Sequence, residues 1–304
     1  MGLVNFQEDS PWRTEENRSV LDEAAKRGYK VVFRNAIDEN QEKSFIEELA
    51  GMNLEALFVS PKVLTVAPAI KTAAATGTPV VLLDRRVDET VAVPGVDYKT
   101  LIGFDMVEQG TLAAQYIVAR APAKLGAVPY KILEIEGTLG SSPQVDRKKG
   151  FEDELALHAG FSIVQDSPGD FNAATAEAIV TQALNDNVPF NVIFAHNDGM
   201  ALGALAALKA RFNGTIPASY MVVGIDGFKG ATVAVLNQEM DATVTCSPSL
   251  GPLAFQTLDK ILSGETLPVL IKVENLTCDR AAVMQAAANT ADAYEFCDGF
   301  GTDN

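Results

Sequence analysis

The sequence predicts an α/β fold made of two similar units, each with a parallel sheet flanked by helices. Short apolar runs alternate with helical segments along the chain, which is the pattern of repeated β-α-β units. The runs are apolar throughout, as in strands that are covered on both faces. The pattern restarts after about residue 105, and 304 residues are enough for about two domains of ~150 residues each.

The first half predicts four strands alternating with three helices. The strands are expected at 3–6, 30–34, 56–59 and 80–83, and the helices at 12–27, 39–51 and 66–76. Gly28 and Gly77 are expected to end two of these helices, because glycine readily takes the backbone conformation that closes a helix.

The second half repeats the alternation. Strands are expected at 131–135, 161–164, 192–195, 221–225 and 242–246, and helices at 106–120, 145–158, 173–185, 200–210, 229–238 and 252–263. The tail from about Ala281 is rich in alanine and acidic residues and only weakly periodic. No Gly/Ser/Pro-rich linker separates the halves, so a hinge of several shared segments is expected.

The composition excludes several functional classes. There are 24 Lys and Arg against 40 Asp and Glu, a formal net charge of −16, which argues against nucleic acid as a partner because phosphate binding needs a basic surface. No apolar run reaches the ~18 residues of a membrane span. Met1-Gly2 lead directly into the first strand, so a natural export signal is expected to have been replaced by the initiating Met.

The three cysteines, Cys246, Cys278 and Cys297, show no Cys-x-x-Cys spacing, and neither a metal or redox site nor a cofactor is expected. Cys278 and Cys297 could pair in an oxidising compartment, but two unpaired thiols are the preferred interpretation.

Polar residues follow the ends of several apolar runs. Asp84-Arg85, His196-Asn197-Asp198 and Asp226-Gly227 each come directly after a predicted strand. Ligands of open α/β sheets bind outside the carboxyl ends of the strands. Carboxylates and guanidinium groups make strong hydrogen bonds to hydroxyls, so this set of side chains predicts a polyhydroxylated ligand.

Enzyme motifs are missing from the sequence. It contains no Gly-x-Gly-x-x-Gly, no phosphate-binding Gly-x-x-x-x-Gly-Lys-Ser/Thr and no Gly-x-Ser-x-Gly. A glycosidase with carboxylates from Asp84 and Asp226 is the enzyme alternative. It is disfavoured, because each Asp adjoins a turn or an Arg and no carboxyl stands out as an acid of raised pKa.

Seven segments resemble one known family and occur in the family's order. They are Ser10-Pro11-Trp12-Arg13, Leu82-Leu83-Asp84-Arg85, Glu136-Gly137-Thr138, Asp146-Arg147-Lys148-Lys149-Gly150-Phe151, Gly169-Asp170-Phe171, Ala195-His196-Asn197-Asp198 and Gly224-Ile225-Asp226-Gly227. By these segments the chain resembles the type I periplasmic sugar-binding proteins, in the ribose-binding cluster of ABC-transporter receptors.

The resemblance implies two Rossmann-like lobes joined by a three-segment hinge and closing on a monosaccharide. The N-terminal lobe would comprise residues 1–104 plus 247–274, and the C-terminal lobe 105–246 plus 275–304. It further implies a receptor without enzymatic activity, periplasmic or extracellular, monomeric, and delivering its sugar to the membrane permease of an ABC transporter. Hinge closure around a ligand is a known switching mode.

In the N-terminal lobe the resemblance implies that Trp12 packs on the sugar ring, that Arg13, Asp84 and Arg85 bind hydroxyls, and that Asp9 reaches them too. Other interpretations stay open for each residue. Trp12 could hold the first helix against the sheet, Asp84 and Arg85 could form an ordinary ion pair, and Asp9 could cap the helix.

In the C-terminal lobe the resemblance implies that Arg147, Asn197 and Asp226 bind the sugar and that Phe171 packs beside it. A turn role for Asn197 and Asp226, a solvated Arg147 and a core Phe171 stay open. Asp105, beside the first hinge segment, would bind the sugar or fix the hinge.

Two departures bear on the sugar. Ribose binders of this family carry two consecutive Phe where this chain has Pro11-Trp12, and a Gln where it has Cys246. They argue against ribose and leave the sugar open. The segments Trp12-Arg13, Glu136-Gly137-Thr138 and Asp146-Arg147 resemble those of the galactofuranose-type subgroup. The sugar-sensing core of a transcription regulator is a further alternative; it would need a helix-turn-helix before the first strand, where only Met1-Gly2 stand.

Overall fold

The computed structural model describes residues 1–6, 11–127 and 129–289. The strands are β1 Gly2–Phe6, β2 Val32–Ala36, β3 Leu57–Val59, β4 Val80–Asp84, β5 Leu101–Phe104, β6 Tyr130–Glu136, β7 Phe161–Pro168, β8 Val192–Ala195, β9 Met221–Asp226, β10 Ala242–Thr245, β11 Leu270–Val273 and β12 Thr277–Asp279. The helices are α1 Pro11–Lys26, α2 Glu39–Ala50, α3 Ala67–Ala74, α4 Met106–Leu125, α5 Ser142–Leu155, α6 Ala173–Asn185, α7 Asp198–Arg211, α8 Lys229–Leu236, α9 Gly251–Leu262 and α10 Arg280–Asn289, with a 3-10 turn at Leu64–Val66.

The chain divides into two units by its internal contacts. The first unit comprises Met1–Phe104, Gly140–Ser142 and Pro248–Glu274, and the second comprises Asp105–Leu139, Pro143–Ser247 and the chain from Asn275 onward.

The first unit is built on a six-stranded sheet with the order β11-β5-β4-β3-β1-β2, in which every pair is parallel. The strands β1, β3 and β4 are buried along their whole length. One apolar cluster joins these strands to α2 and α3, with Val4, Leu57 and Leu82 from the sheet and Ile46 and Ile70 from the helices.

The second unit has a six-stranded sheet of order β12-β10-β9-β8-β6-β7. All pairs are parallel except β10 with β12 at one edge. Its apolar cluster joins β6, β8 and β9 to α6, α7 and α8. The two parallel-sheet α/β units predicted from the sequence are thereby confirmed.

The structure adds elements that the sequence did not predict: β5, β11, β12 and α10. The strands are three or four residues long, and β11 and β12 lie at sheet edges where they are only partly buried. The edge strands β11 and β12 lack the continuous apolar run that revealed the central ones, whereas β5 is buried along its whole length and was missed although its run is apolar.

Cys278 corrects another expectation. Its sulfur is buried and disulfide-bonded, so the preference for unpaired thiols was wrong for this residue. Sequence spacing carries no information on the distance between two cysteines, which decides whether they pair. Cys297 and the predicted site residue Asp9 lie outside the described residues.

Candidate functional site

In the first unit, polar side chains collect at the carboxyl ends of three neighbouring strands. Asn5 lies near the end of β1, Ser60 follows β3, and Asp84 ends β4. All three are buried, with Ser60 and Asn5 fully inaccessible. This edge is where α/β sheets bind ligands.

Arg13 joins this group from the first turns of α1. Its Nη1 donates to Ser60 Oγ at 2.6 Å and its Nη2 donates to Asp84 Oδ2 at 3.0 Å. The guanidinium carbon lies 4.8 Å from the Trp12 ring centroid, within cation–π range. The structure therefore brings the predicted residues Trp12, Arg13 and Asp84 together in a buried, charged cluster.

Sequence reasoning missed Glu16, which completes the cluster. Arg13 Nη1 also donates to the Glu16 carboxylate, and Asn5 Nδ2 donates to Glu16 Oε2 at 2.9 Å. Burial raises the pKa of Glu16, and the charge of Asp84 adds to this while Arg13 opposes it. The available signal was the spacing of three between Arg13 and Glu16, which places both on one face of a helix.

Arg85 contacts one backbone carbonyl and two neighbouring side chains. Its Nη1 donates to the Lys62 carbonyl at 3.0 Å, its Nε lies 3.6 Å from Asp84 Oδ2, and its guanidinium carbon lies 4.7 Å from the Phe6 ring centroid. Both predicted residues of the Asp84-Arg85 pair are buried.

The backbone at Asp84 takes an unusual turn. Asp84 has φ +61°, and the Arg85 amide donates to the Leu83 carbonyl at 2.6 Å, closing a three-residue turn. A positive φ at the centre of such a turn is its rarer, strained form. A Cβ on Gly103 of the neighbouring β5 would lie 2.9 Å from the Asp84 carbonyl oxygen, so this turn needs glycine beside it.

In the second unit, Arg147 projects from α5 and is almost completely buried. Its Nε donates to Gln109 Oε1 at 2.9 Å, its Nη1 donates to the His196 carbonyl, and its Nη2 lies 3.4 Å from Cys246 Sγ. A burial this complete is incompatible with the alternative of a solvated Arg147.

Asn197 and its neighbour Asp198 organise the start of α7. Asn197 caps the helix, its Oδ1 accepting from the Met200 amide at 2.9 Å. Asp198 Oδ2 accepts from the Gly227 amide at 2.8 Å, and its Oδ1 accepts from Thr243 Oγ1 at 2.8 Å. Burial raises the pKa of Asp198, although the hydrogen bonds that its carboxylate accepts act to lower it. Asp198 therefore holds the turn after Asp226, a role that sequence reasoning did not assign.

Three predicted site residues have a positive φ: Asp84 at +61°, Phe171 at +55° and Asp226 at +143°. Non-glycine residues adopt such conformations rarely, and where they persist they cluster at functional sites. Phe171 is part of the apolar cluster of the second unit and packs against Gly137, where a Cβ would lie 1.9 Å from its ring. Its contact with a sugar stays a prediction.

Asp105 caps α4, and its Oδ1 accepts from the Glu108 amide at 2.9 Å. Its carbonyl accepts from Asn275 Nδ2 at 2.9 Å. Asp105 is partly exposed, so a role in binding and a role in fixing the chain both stay predictions.

A buried network of charged side chains in the second unit adjoins Arg147. The ring Nε2 of His196 lies 2.9 Å from Glu134 Oε1, and neither residue is accessible to solvent. Lys148 Nζ contacts Glu134 Oε2 at 3.3 Å and Glu136 Oε1 at 3.1 Å. Because Arg147 donates to the His196 carbonyl, this network supports the backbone on which Arg147 rests.

Within 1–6, 11–127 and 129–289, no group of three or more His, Cys, Asp or Glu side chains has an arrangement suited to a metal ion. Over the same residues, no helix combines the length and the apolar character that a membrane span needs.

Comparison with known proteins gives concordant results. Residues 1–266 match the family described as periplasmic binding protein domain. The galactofuranose-binding protein YtfQ of Escherichia coli is 30% identical over 88% of this chain and 83% of its own length. The ribose import binding protein RbsB of Bacillus subtilis is 30% identical over 90% of this chain and 86% of its own length.

Solved structures extend the similarity. A Mycobacterium smegmatis protein in complex with β-D-fucofuranose has a TM-score of 0.85 and 28% identity, covering 97% of both chains. The arabinose-transporter binding protein of Shewanella sp. ANA-3, bound to L-arabinofuranose, has a TM-score of 0.83 and 27% identity, covering 97% of this chain and 98% of that one. The chain therefore belongs to the periplasmic binding protein family, a family of binding proteins rather than enzymes.

Proposed function

We propose that this chain is an extracytoplasmic receptor that binds one monosaccharide and delivers it to the membrane permease of an ABC sugar transporter. The observation that carries the proposal is the pair of buried polar clusters at the strand ends, Arg13 with Asp84 in one unit and Arg147 with His196 and Asn197 in the other. Buried charged groups of this kind form strong hydrogen bonds to sugar hydroxyls.

The proposal favours a sugar in its five-membered ring form. Three similar proteins carry names or titles with galactofuranose, fucofuranose and arabinofuranose. A furanose ring is small enough for one indole, that of Trp12, to cover its C–H face. The guanidinium groups of Arg13 and Arg85 are then proposed to bind its hydroxyls. Asp105, Phe171 and Asp226 are proposed as further contacts.

Two lobes are proposed to move on binding: residues 1–104 plus 247–274, and residues 105–246 plus 275–304. A sugar that is bound by side chains of both lobes stabilises whichever arrangement lets it contact all of them. The radius of gyration measured by small-angle scattering is expected to fall on addition of the sugar. The receptor is proposed to work as a monomer in the periplasm or outside the cell.

The experiment is a thermal-shift and calorimetric screen with D-galactose, D-fucose, L-arabinose and D-ribose. Methyl β-D-galactofuranoside and methyl β-D-galactopyranoside form a matched pair that cannot interconvert. We expect one furanose-forming sugar to bind with a Kd near 1 μM, about −8 kcal/mol, and the furanoside to raise the Tm more than the pyranoside. If none of the six compounds changes the Tm at 10 mM, on the order of 10⁴ times that Kd, the proposed function is wrong.

A further inference from the structure

We propose that Gln109 is a positioning residue that couples the Arg147 guanidinium to three of the segments by which the chain passes between its two units. Where the inference concerns a sugar on Arg147, it rests on the proposed function. Gln109 lies on α4, is fully buried, and belongs to none of the motifs that suggested the binding site.

Both polar atoms of the Gln109 amide are engaged, and on opposite sides. Its Oε1 accepts from Arg147 Nε at 2.9 Å. Its Nε2 donates to the Thr245 carbonyl at 3.1 Å and to Asn275 Oδ1 at 3.1 Å. One rigid planar group therefore joins the guanidinium to two other parts of the chain.

These parts lie where the chain enters or leaves the second unit. Asp105 is the first residue after Phe104, Asn275 is the first after Glu274, and Thr245 lies two residues before Ser247, the last before Pro248.

Asn275 and Thr245 connect these passages to one another. Asn275 Nδ2 donates to the Asp105 carbonyl at 2.9 Å and to Glu108 Oε2 at 2.6 Å. The Thr245 amide donates to the Leu276 carbonyl at 2.8 Å, and the Leu276 amide donates to Thr245 Oγ1 at 2.8 Å. Three passages are thus held in one hydrogen-bonded network with Gln109 at its centre.

The helices α4 and α5 pack closely, which fixes the distance between the backbones of Gln109 and Arg147. A Cβ on Gly110 would lie 2.0 Å from the Arg147 carbonyl oxygen, and a Cβ on Gly150 would lie 1.9 Å from the Val107 carbonyl oxygen. Backbones this close leave the two helices little freedom to slide, since a close-packed interior has low compressibility and transmits strain. A change in the restraint on Arg147 is therefore passed to the Gln109 amide instead of being absorbed by the helix pair.

A double-mutant cycle distinguishes coupling between Gln109 and Arg147 from mere proximity. Gln109→Met keeps the size of the side chain and removes both hydrogen-bonding atoms. Gln109→Glu keeps an acceptor for Arg147 Nε but replaces the donor to Thr245 and Asn275. Gln115→Met is the matched control, because Gln115 is an exposed glutamine on the same helix.

The first measurement needs no sugar. Amide hydrogen exchange is followed by mass spectrometry in peptides covering 101–108, 243–249 and 272–278. Both Gln109→Met and Arg147→Met remove hydrogen bonds of the buried Gln109 amide. Each variant is expected to speed exchange in these three peptides about tenfold. The double variant is expected to exchange no faster than either single variant, and Gln115→Met is expected to match the unmodified protein.

Additive effects in the double variant, or an Arg147→Met protein with unchanged exchange in all three peptides, would overturn the coupling. Gln109→Glu serves if Gln109→Met does not fold. It is expected to speed exchange in 243–249 and 272–278, and normal exchange in both peptides would overturn the role of the Nε2 donor.

The second measurement adds saturating D-galactose, D-fucose, L-arabinose or D-ribose, whichever binds the unmodified protein. The sugar is expected to slow exchange in the three peptides of the unmodified protein and of Gln115→Met, but not in those of Gln109→Met. A purely structural Gln109 would lower the Tm and leave this sugar-dependent protection intact, which would overturn the proposal. If no sugar binds the unmodified protein, the proposed function fails, while the sugar-free cycle still decides the coupling.

Discussion

Arg13 Nη2 lies 3.0 Å from Asp84 Oδ2, and both side chains are at most 5% exposed. The two residues come from different elements, α1 and the end of β4, and are separated by 71 positions in sequence. A buried pair of this kind contributes little stability by itself, but removing one partner leaves an uncompensated charge in a low-dielectric interior. Variants of Asp84 that differ in charge and hydrogen bonding can therefore show separately how this pair affects stability and sugar binding.

Asp84→Ala is expected to abolish the sugar-dependent rise in Tm and to lower the free energy of unfolding by about 3 kcal/mol, because the buried guanidinium groups of Arg13 and Arg85 lose one carboxylate while Arg13 keeps that of Glu16. Asp84→Asn, which keeps an acceptor, is expected to lose most of the sugar affinity at a smaller cost in stability. Chemical denaturation and calorimetry measure the two effects. Asp153→Ala, at an exposed surface ion pair, is the control and should change neither. An Asp84→Ala protein that keeps its sugar-dependent Tm shift would remove Asp84 from the site.

Gly103→Ala tests the turn at Asp84. The added Cβ would lie 2.9 Å from the Asp84 carbonyl oxygen, and backbone atoms cannot move aside cheaply. We expect a loss of about 1–3 kcal/mol in stability together with weaker sugar binding, because the strained turn aims the Asp84 side chain. Gly51→Ala is the control: its new Cβ would lie 3.5 Å from the nearest atom, and its φ of −75° suits alanine. Equal sugar affinity in both variants would contradict the role of the turn.

The site residues that the strand pattern revealed share one property, which is attachment to an apolar strand; Trp12, Arg13, Arg147 and Phe171 were indicated only by the family resemblance. Asp84, Asn197 and Asp226 directly follow buried runs, so the strand pattern located them before the fold was known. Glu16 and Gln109 lie within helices and act through partners far away in sequence, Asn5 and Asn275 among them. Apart from the spacing of three between Arg13 and Glu16, nothing in local periodicity distinguishes these two residues from other buried polar side chains.

The same limit applies to the fold. The central strands other than β5 were predicted because burial on both faces leaves a continuous apolar run. The edge strands β11 and β12 were not, since they are partly exposed and are ordered by pairing with β5 and β10.

Asn197→Ala is expected to cost about 1 kcal/mol of stability through loss of the α7 cap and, separately, to weaken sugar binding. Asp38→Ala removes an equivalent cap, since Asp38 Oδ1 accepts from the Gln41 amide at the start of α2. We expect similar losses of stability in both variants and loss of sugar affinity only in Asn197→Ala. Matching sugar affinities, measured by calorimetry, would assign Asn197 to capping alone.

Glu42 predicts a pH dependence of stability. Its carboxylate accepts from the Lys62 amide at 3.1 Å, and burial raises its pKa to about 7. The folded protein therefore binds a proton here more tightly than the unfolded chain, whose carboxyl titrates near 4.5. The stabilisation is fully present below pH 4.5 and is lost as the pH rises through about 7.

Glu42→Gln, a neutral isostere, is expected to flatten the decline in unfolding free energy between pH 5 and pH 7 by up to about 1.4 kcal/mol per pH unit. Urea denaturation at several pH values measures the unfolding free energy of both proteins. Glu47→Gln, at an exposed position on the same helix, should leave the profile unchanged. An unchanged slope in Glu42→Gln would show that Glu42 ionises normally in the folded protein.

Trp12 provides a direct optical test, because it is the only tryptophan in the chain and is 7% exposed. Its ring lies 4.8 Å from the Arg13 guanidinium carbon, so a sugar that displaces or restrains either group changes the environment of the indole. We expect a saturable change in tryptophan emission with the Kd found by calorimetry. Trp12→Phe should lose the optical signal and weaken binding by about tenfold or less, because a smaller ring still covers part of the sugar. Emission that stays constant while calorimetry reports binding would place the sugar away from Trp12 and favour its role in holding α1 against the sheet.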